Sequence, residues 1–383
     1  MDRKLRMGMV GGGKDSFIGP IHRRAALMEG KVELVCGAFS STKRKSMESG
    51  SELMLPRDRV YGSYREMLRR ESRLPEEERP DFVCIVTPNN MHYPVSMAAL
   101  DAGFHIFCEE PMTLTLDEAE NLERKIKQTG RLFCLAQHST GYPMVKEARQ
   151  LVQRGKLGDV RRVVVEYPQG WLATRLETSG SKQAAWRTDP RRSGASCCMG
   201  SCGSIAERLA AYVTGLKVKE VCAELTTFVA GRPLDDDAGA LLRFENGAKG
   251  MLWASQVAAG EENGLSIRVY GDKGSLAWHQ DDPGTLIVRR INNPAEVRNT
   301  AGSYLYKETT DSVRLSCGRP EGYIEALANI YNSFTDALCK AVEGKGIDES
   351  GVDYPTVRFG LEGVAFVEAA VKSSGAAEKW IEV

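Results

Sequence analysis

Short apolar runs alternate with helical stretches through the first 136 residues, and this alternation constrains the fold more than any other feature. The runs are Arg6–Val10, Val32–Ala38, Phe82–Thr87, His105–Cys108 and Leu132–Ala136. They are nearly continuous in apolar residues, as parallel strands buried on both faces require. Helices are predicted between them at Pro20–Glu29, at His92–Ala102 before Gly103, and from Thr115 to about Gln128 before Gly130. The last opens with Thr115-Leu-Asp-Glu118, a capping box in which the hydroxyl and the carboxylate satisfy orphan amides of a helix start. The pattern predicts an α/β domain over residues 1–136, a doubly wound parallel sheet with its ligand at the carboxyl ends of the strands.

Gly11-Gly12-Gly13 follows the first strand, and Gly19 opens the next helix. Glycine permits the tight turn and the close backbone approach that a pyrophosphate needs, and the helix N-terminus then meets its charge. The spacing is longer than G-x-G-x-x-G, yet its place after a strand points to a dinucleotide. The acid that usually holds the ribose hydroxyls after the second strand is missing; that segment reads Phe39-Ser40-Ser41-Thr42-Lys43-Arg44. Ser40, Ser41, Lys43 and Arg44 suit a 2′-phosphate, which tilts the expectation from NAD toward NADP.

From residue 137 the pattern changes. Met144–Gln153 reads as a linking helix, after which strands dominate: Val163–Tyr167, Val221–Val229, Ala240–Phe244, Gly250–Val257, Leu265–Tyr270 and Leu286–Arg290. Asn246-Gly247 between two of them is a hairpin signal, because these residues accept the positive φ of a tight turn. Helices at Glu321–Val342 and Thr356–Lys372 are expected to cover one face. Residues 137–383 thus read as an α+β domain with a large, mostly antiparallel open sheet, whose other face is a candidate subunit interface.

Lys+Arg and Asp+Glu both total 51, so no basic excess exists to neutralise nucleic acid or a lipid surface. No stretch approaches a membrane span, and Met1–Met7 lacks the apolar run of a cleaved leader. Cys36, Cys84, Cys134 and Cys222 sit inside apolar runs, which suits reduced thiols and a cytoplasmic location.

Thr87-Pro88-Asn89-x-x-His92 and Cys108-Glu109-Glu110-Pro111, followed by an antiparallel domain, resemble the Gfo/Idh/MocA oxidoreductases, the glucose-fructose oxidoreductase/inositol dehydrogenase type. Thr140-Gly-Tyr-Pro143, Glu166-Tyr-Pro-Gln-Gly-Trp171, Ala185-Trp-Arg-Thr-Asp-Pro190 and Gly271-Asp-Lys-Gly274 extend the resemblance along the chain. It implies a Rossmann domain, an NAD(P) cofactor, a sugar or polyol substrate, and a homodimer or homotetramer. It further implies a cofactor site drawn from Gly11, Gly13, Ile18, Ser40, Ser41 and Lys43, then Thr87, Pro88, Asn89, His92 and Glu109, with Gln137, Trp186 and Arg187. Tyr142, Tyr167, Gln169 and Trp171 would form the substrate wall.

Three departures matter. Where the family carries Glu-Lys-Pro this chain has Glu109-Glu110-Pro111, and the family's Asp-Ile-Gly-x-His is matched to Cys198-Met199-Gly200-Ser201-Cys202. Hydride transfer from an alcohol needs a base for the hydroxyl proton, and histidine, with its pKa of about 6.5, serves better than cysteine at about 8.5. Glu110, Cys198, Cys202, His138 and Tyr142 are the candidate catalytic positions. Two functions follow: an oxidoreductase acting on a sugar, polyol or glycoside through an atypical site, or a non-catalytic nucleotide- or sugar-binding relative. The latter would be a sensor, or an inactive subunit in a hetero-oligomer with an active paralogue. A third reading assigns Cys197, Cys198 and Cys202, with Cys108, to a soft metal or thiol chemistry; CC-x-x-x-C is not a zinc spacing, and no metal is expected.

Overall fold

The computed structural model describes residues 3–346 and 351–383, so Met1 and Asp2 of the leader reading lie outside the described residues. The chain runs β1 (Leu5–Gly11), α1 (Ile18–Leu27), β2 (Val32–Ala38), α2 (Lys43–Glu52), α3 (Tyr64–Glu71), β3 (Phe82–Val86), α4 (His92–Asp101), β4 (His105–Cys108), α5 (Leu116–Thr129) and β5 (Phe133–Leu135). It continues through α6 (Pro143–Gln153), β6 (Val160–Pro168), the short α7 (Lys182–Arg187) and α8 (Pro190–Ser193), α9 (Ser204–Thr214), β7 (Val218–Thr226), β8 (Asp237–Phe244) and β9 (Lys249–Ser255). The last part comprises β10 (Ser266–Gly271), β11 (Gly274–His279), β12 (Thr285–Arg290), β13 (Glu296–Asn299), α10 (Lys307–Thr310), α11 (Tyr323–Val342), α12 (Val357–Gly375) and β14 (Trp380–Glu382). Two compact units result: Met1–His138 with Leu327–Leu361, and Ser139–Ala326 with Glu362–Val383. The first unit thus takes in, besides the expected 1–136, part of the C-terminal helices, which were expected to pack back.

The first unit holds a five-stranded parallel sheet in the order β2-β1-β3-β4-β5. Leu5, Met7 and Met9 of β1 and Phe82, Val83, Cys84 and Ile85 of β3 have no exposed surface, which accounts for their continuous apolar runs. Thr115 caps α5 by accepting from the Glu118 amide at 3.3 Å, while the Glu118 carboxylate accepts from Leu114 N–H at 3.1 Å; Gly130, at φ +60°, closes the helix. The helix Glu321–Val342 was expected on the second sheet. Instead α11, from Leu327 onward, packs in the first unit through its aromatic residues. Tyr331 stacks on Phe107 at 3.8 Å, and Phe334 meets Phe82 and Phe107 edge-on at 5.4 and 5.6 Å. Each such pair contributes roughly 0.5–1.5 kcal/mol beyond its buried area.

The second unit is built on a nine-stranded sheet, β13-β12-β11-β10-β6-β9-β8-β7-β14. Only the β6–β9 pair is parallel. Ala240, Leu252, Val165, Ile267 and Trp278 stand in register across five strands on the buried face. Leu209 and Val213 of α9, Val145 and Ala148 of α6, and Phe366 and Ala370 of α12 join them in one core. The opposite face carries Leu241 beside Met251, with Trp253 and Tyr270, all exposed. Gly247, at φ +89°, makes the expected β8–β9 hairpin. The edge strands β13 and β14 escaped the sequence reading because they are short; β13, Glu-Val-Arg-Asn, has one apolar residue. Among the described residues no helix is long and apolar enough to cross a membrane.

Candidate active site

The glycine loop is packed closely, with backbone the nearest neighbour at Gly11, Gly13 and Gly19. A Cβ on Gly11 (φ +84°) would lie 2.5 Å from the Val86 carbonyl oxygen, one on Gly13 2.6 Å from that of Phe39, and one on Gly19 2.3 Å from that of Gly12. No larger residue fits, so the loop and the start of α1 come together at the carboxyl ends of β1 and β3. Two side chains that the sequence reading missed secure it: Ser49 Oγ accepts from Lys14 N–H at 2.9 Å, and Arg23 donates to Gly12 O at 2.7 Å. Thr87 Oγ1, beside Gly11, is buried with no hydrogen-bond partner among the described residues. A glycine cradle at a helix N-terminus, flanked by an orphaned hydroxyl, fits a dinucleotide. Ile18 is the first residue of α1 and is half-buried. After β2, Ser40 is half-buried and Ser41 and Lys43 are exposed, while Arg44 is paired with Glu48 at 2.5 Å.

The loop after β4 is held by two buried imidazoles. His92, expected at the cofactor, lies with Nδ1 2.6 Å from Pro111 O and Nε2 2.9 Å from Thr87 O, and burial lowers its pKa. It ties the Thr87–Asn89 turn to Pro111. His22, which the sequence reading passed over, lies with Nε2 2.6 Å from Glu109 Oε1 and Nδ1 2.7 Å from Tyr331 Oη. The signal available was a histidine one turn beyond Gly19 on the buried face of α1. Burial lowers the His22 pKa, but Cys84 and Glu109 raise it further, to about 10. Glu109 is raised by burial and lowered more strongly by His22, for a net depression. Both directions describe an imidazolium–carboxylate pair. Glu109 Oε2 also accepts from Glu110 N–H at 3.2 Å. Gln137 and His138 are buried immediately after β5.

In the second unit three of the four expected substrate residues form one hydrogen-bonded chain. Trp171 Nε1–H donates to Gln169 Oε1 at 3.0 Å, Gln169 Nε2–H to Asn263 Oδ1 at 2.7 Å, and Tyr167 O–H to the same oxygen at 2.8 Å. Asn263 was not foreseen. The Arg187 guanidinium lies 4.1 Å over the Trp186 ring and 5.8 Å from that of Trp171, so these two cofactor candidates stand with the substrate residues of this unit. Tyr142 is buried against Trp278, and burial raises its pKa.

The turn matched to Asp-Ile-Gly-x-His is where the expectation changes most. Cys198 and Cys202 lie in the hydrophobic core at 0% and 3% exposure, and burial pushes the Cys198 pKa well above its ordinary value. Residues Met199–Gly203 form a π-helical turn. The buried Asp235 carboxylate organises its approach by accepting from Cys197 N–H at 2.9 Å, Met199 N–H at 2.8 Å and Ser196 O–H at 2.9 Å. The half-buried side chains of the turn are Ser201 and Ile205, four positions apart. Ser201 Oγ accepts from Gln256 Nε2–H at 3.2 Å. Ser201-Cys202-Gly203-Ser204-Ile205 also places glycine third. Cys197 donates to Gln256 Oε1 at 3.1 Å and Cys108 is fully buried; among the described residues no three His, Cys, Asp or Glu side chains converge as a metal site.

A parallel sheet with a glycine cradle, joined in one chain to a large antiparallel sheet bearing a polar-aromatic cluster, defines a nucleotide-dependent oxidoreductase architecture. Residues 5–138 match the model described as "Oxidoreductase family, NAD-binding Rossmann fold", and 145–277 match the "GFO/IDH/MocA C-terminal domain". The chain belongs to the Gfo/Idh/MocA oxidoreductase family, and its first unit carries the family's NAD-binding Rossmann fold. It is 31% identical over 386 residues to the uncharacterized oxidoreductase YfiI of Bacillus subtilis, covering 100% of this chain and 98% of that one. It is 25% identical over 415 residues to the levoglucosan dehydrogenase of Pseudarthrobacter phenanthrenivorans, with 100% and 98% covered. The inositol dehydrogenase homolog of Azotobacter vinelandii, solved with NAD+, superimposes at TM-score 0.96 with 33% identity over 100% of this chain and 98% of that one. Its complex with NADH and myo-inositol gives 0.94 and 32% over the same shares.

Proposed function

We propose that the chain is a nicotinamide-dinucleotide-dependent oxidoreductase acting on a hydroxyl of a sugar or polyol, with a proton-transfer set unlike the family's usual one. The observation that carries this reading is the glycine cradle closed by Gly19 on Gly12 beside the orphaned Thr87 hydroxyl. The myo-inositol complex of the Azotobacter relative and the name of the levoglucosan dehydrogenase support a polyhydroxylated substrate.

The bound nicotinamide would supply the hydride acceptor. In the first unit the glycine loop and the N-terminus of α1 hold the pyrophosphate charge. Glu110, next to Glu109, stands where the family carries lysine, and as a carboxylate it accepts a hydroxyl proton if its surroundings raise its basicity. In the second unit Gln169, Asn263 and Tyr167 offer hydrogen bonds to ring hydroxyls, and Trp171 and Trp186 offer faces to C–H groups. With no acid after β2 and Lys43 exposed, the site accepts NADP as well as NAD.

The test is nicotinamide absorbance on adding a sugar and polyol panel with NAD or NADP, for the wild type and Glu110→Gln. Turnover that falls at least about 100-fold in the variant supports the reading, since that is the scale of a general base. A second reading, binding without chemistry, draws on the burial of Cys198 and Cys202, which leaves no thiol base. Nucleotide binding in calorimetry with no turnover across the panel would favour it. The exposed face bearing Met251 and Trp253 fits a contact between copies of this chain, and Trp253→Asp would lower the mass seen by light scattering. All ten cysteines are free, which fits the reducing cytoplasm.

A further inference from the structure

The buried His22 lies outside the glycine loop and has both ring nitrogens engaged. Its Nε2 meets Glu109 and its Nδ1 meets Tyr331, whose hydroxyl lies 3.2 Å from Cys84 Sγ. Phe107 closes the cage, stacked on Tyr331 and edge-on to His22 at 5.8 Å. Four elements thus converge on one imidazole: α1 carries it, β3 brings Cys84, the end of β4 brings Phe107 and Glu109, and α11 brings Tyr331. Glu109 is the one carboxylate among these partners. Glu109 passes the constraint on by accepting from Glu110 N–H, while His92 grips Pro111 O from α4.

We propose that His22 is a positioning residue, whose ring bridges Glu109 and Tyr331 and so fixes the Glu109–Pro111 loop in the geometry that binds the dinucleotide and aims Glu110. This rests on the functional reading above and assigns it a residue that touches neither cofactor nor substrate. An imidazolium satisfies the cage: Nδ1–H donates to the phenol oxygen, Nε2–H to the carboxylate, and the phenol hydrogen is left to point at Cys84. A neutral ring still donates Nε2–H to the carboxylate and accepts the phenol hydrogen at Nδ1, so what deprotonation removes is the charge attraction to Glu109. The groups facing the pair are Cys84 from β3, Tyr331 from α11 and, toward Glu109, His92 from α4; Cys134 of β5 faces Tyr331.

The sign of the pH dependence follows from His22 being raised from 6.5 to about 10 in the folded chain. Its contribution is complete below pH 6.5, declines as pH rises and is gone above about 10. The experiment measures nucleotide Kd, kcat and KM from pH 6 to pH 10.5 for wild type, His22→Gln and His22→Ala, with NMR of the ring nitrogens in wild type. Expected at pH 7 are roughly tenfold weaker binding in His22→Ala, a smaller loss in His22→Gln, and a fall in kcat with little change in sugar KM. Wild-type and His22→Gln affinities converge toward pH 10, and NMR finds both ring nitrogens protonated at pH 8. Equal affinities and pH profiles in wild type and variants, or a neutral ring at pH 8, overturn the proposal alone. A wild type that binds no nucleotide overturns the functional reading and this proposal with it. If the variants fail to fold, the ring titration decides.

Discussion

The glycine loop of the first unit and the Ser196–Ile205 turn of the second unit are both short, small-residue segments, yet they tolerate change in opposite ways. In the loop the space for a side chain is filled by backbone, so glycine at positions 11, 13 and 19 is forced by contact. In the turn the constraint comes from Asp235, which holds three donors, while the side chains vary between core-facing thiols and half-buried Ser201 and Ile205. A scaffold held by a remote carboxylate can keep its shape while its reachable residues are exchanged. One held by backbone contact cannot.

Changing Gly19 to Val tests the first half of this contrast and carries the largest effect. Its Cβ would meet the Gly12 oxygen at 2.3 Å, and nucleotide binding in calorimetry should weaken by more than about 100-fold as the loop leaves α1. Two designed triple variants probe the turn next. Cys198→Asp with Cys202→His and Glu110→Lys places charge in the core and should cost about 3–5 kcal/mol in urea unfolding. Ser201→Asp with Ile205→His and Glu110→Lys should stay within about 1.5 kcal/mol of wild type and raise sugar-dependent turnover at least about tenfold. If the first design is the more stable and active, the register three residues later is wrong. Asn263→Ala removes the shared acceptor of Tyr167 and Gln169, and should raise KM for a polyol about tenfold with kcat nearly unchanged. Smallest of all, Cys202→Ala should alter turnover less than about twofold and stability by about 1 kcal/mol, the signature of a packed thiol.

The parallel sheet was legible because its strands are buried on both faces and so spell themselves as apolar runs. The hairpin at Asn246-Gly247 was legible because positive φ selects its residues. Three things were hidden, each for a physical reason. The strand β13 has little apolar content because an edge strand need not be buried. The importance of His22 and Asp235 lies in contacts made across long sequence separations, to Tyr331 and to Cys197. Spacing alone does not choose the register of the Asp-x-x-x-His match, since both alignments place glycine third. The role of α11 was hidden because its periodicity says that one face is covered and not by what, and Tyr331 and Phe334 proved to be the side chains that meet β3 and β4.

The return of residues 327–361 to the first unit bears on how the protein is made. Phe82 and Phe107 are synthesised early, but the aromatic residues that cover them emerge only after more than two hundred further residues. The nucleotide-binding unit therefore stays unfinished on the ribosome until these residues emerge, while most of the other unit can already fold. A gene cut after residue 138 would release a sheet with bare aromatic edges, prone to aggregate, and no shorter fragment could serve as a ready-made nucleotide module.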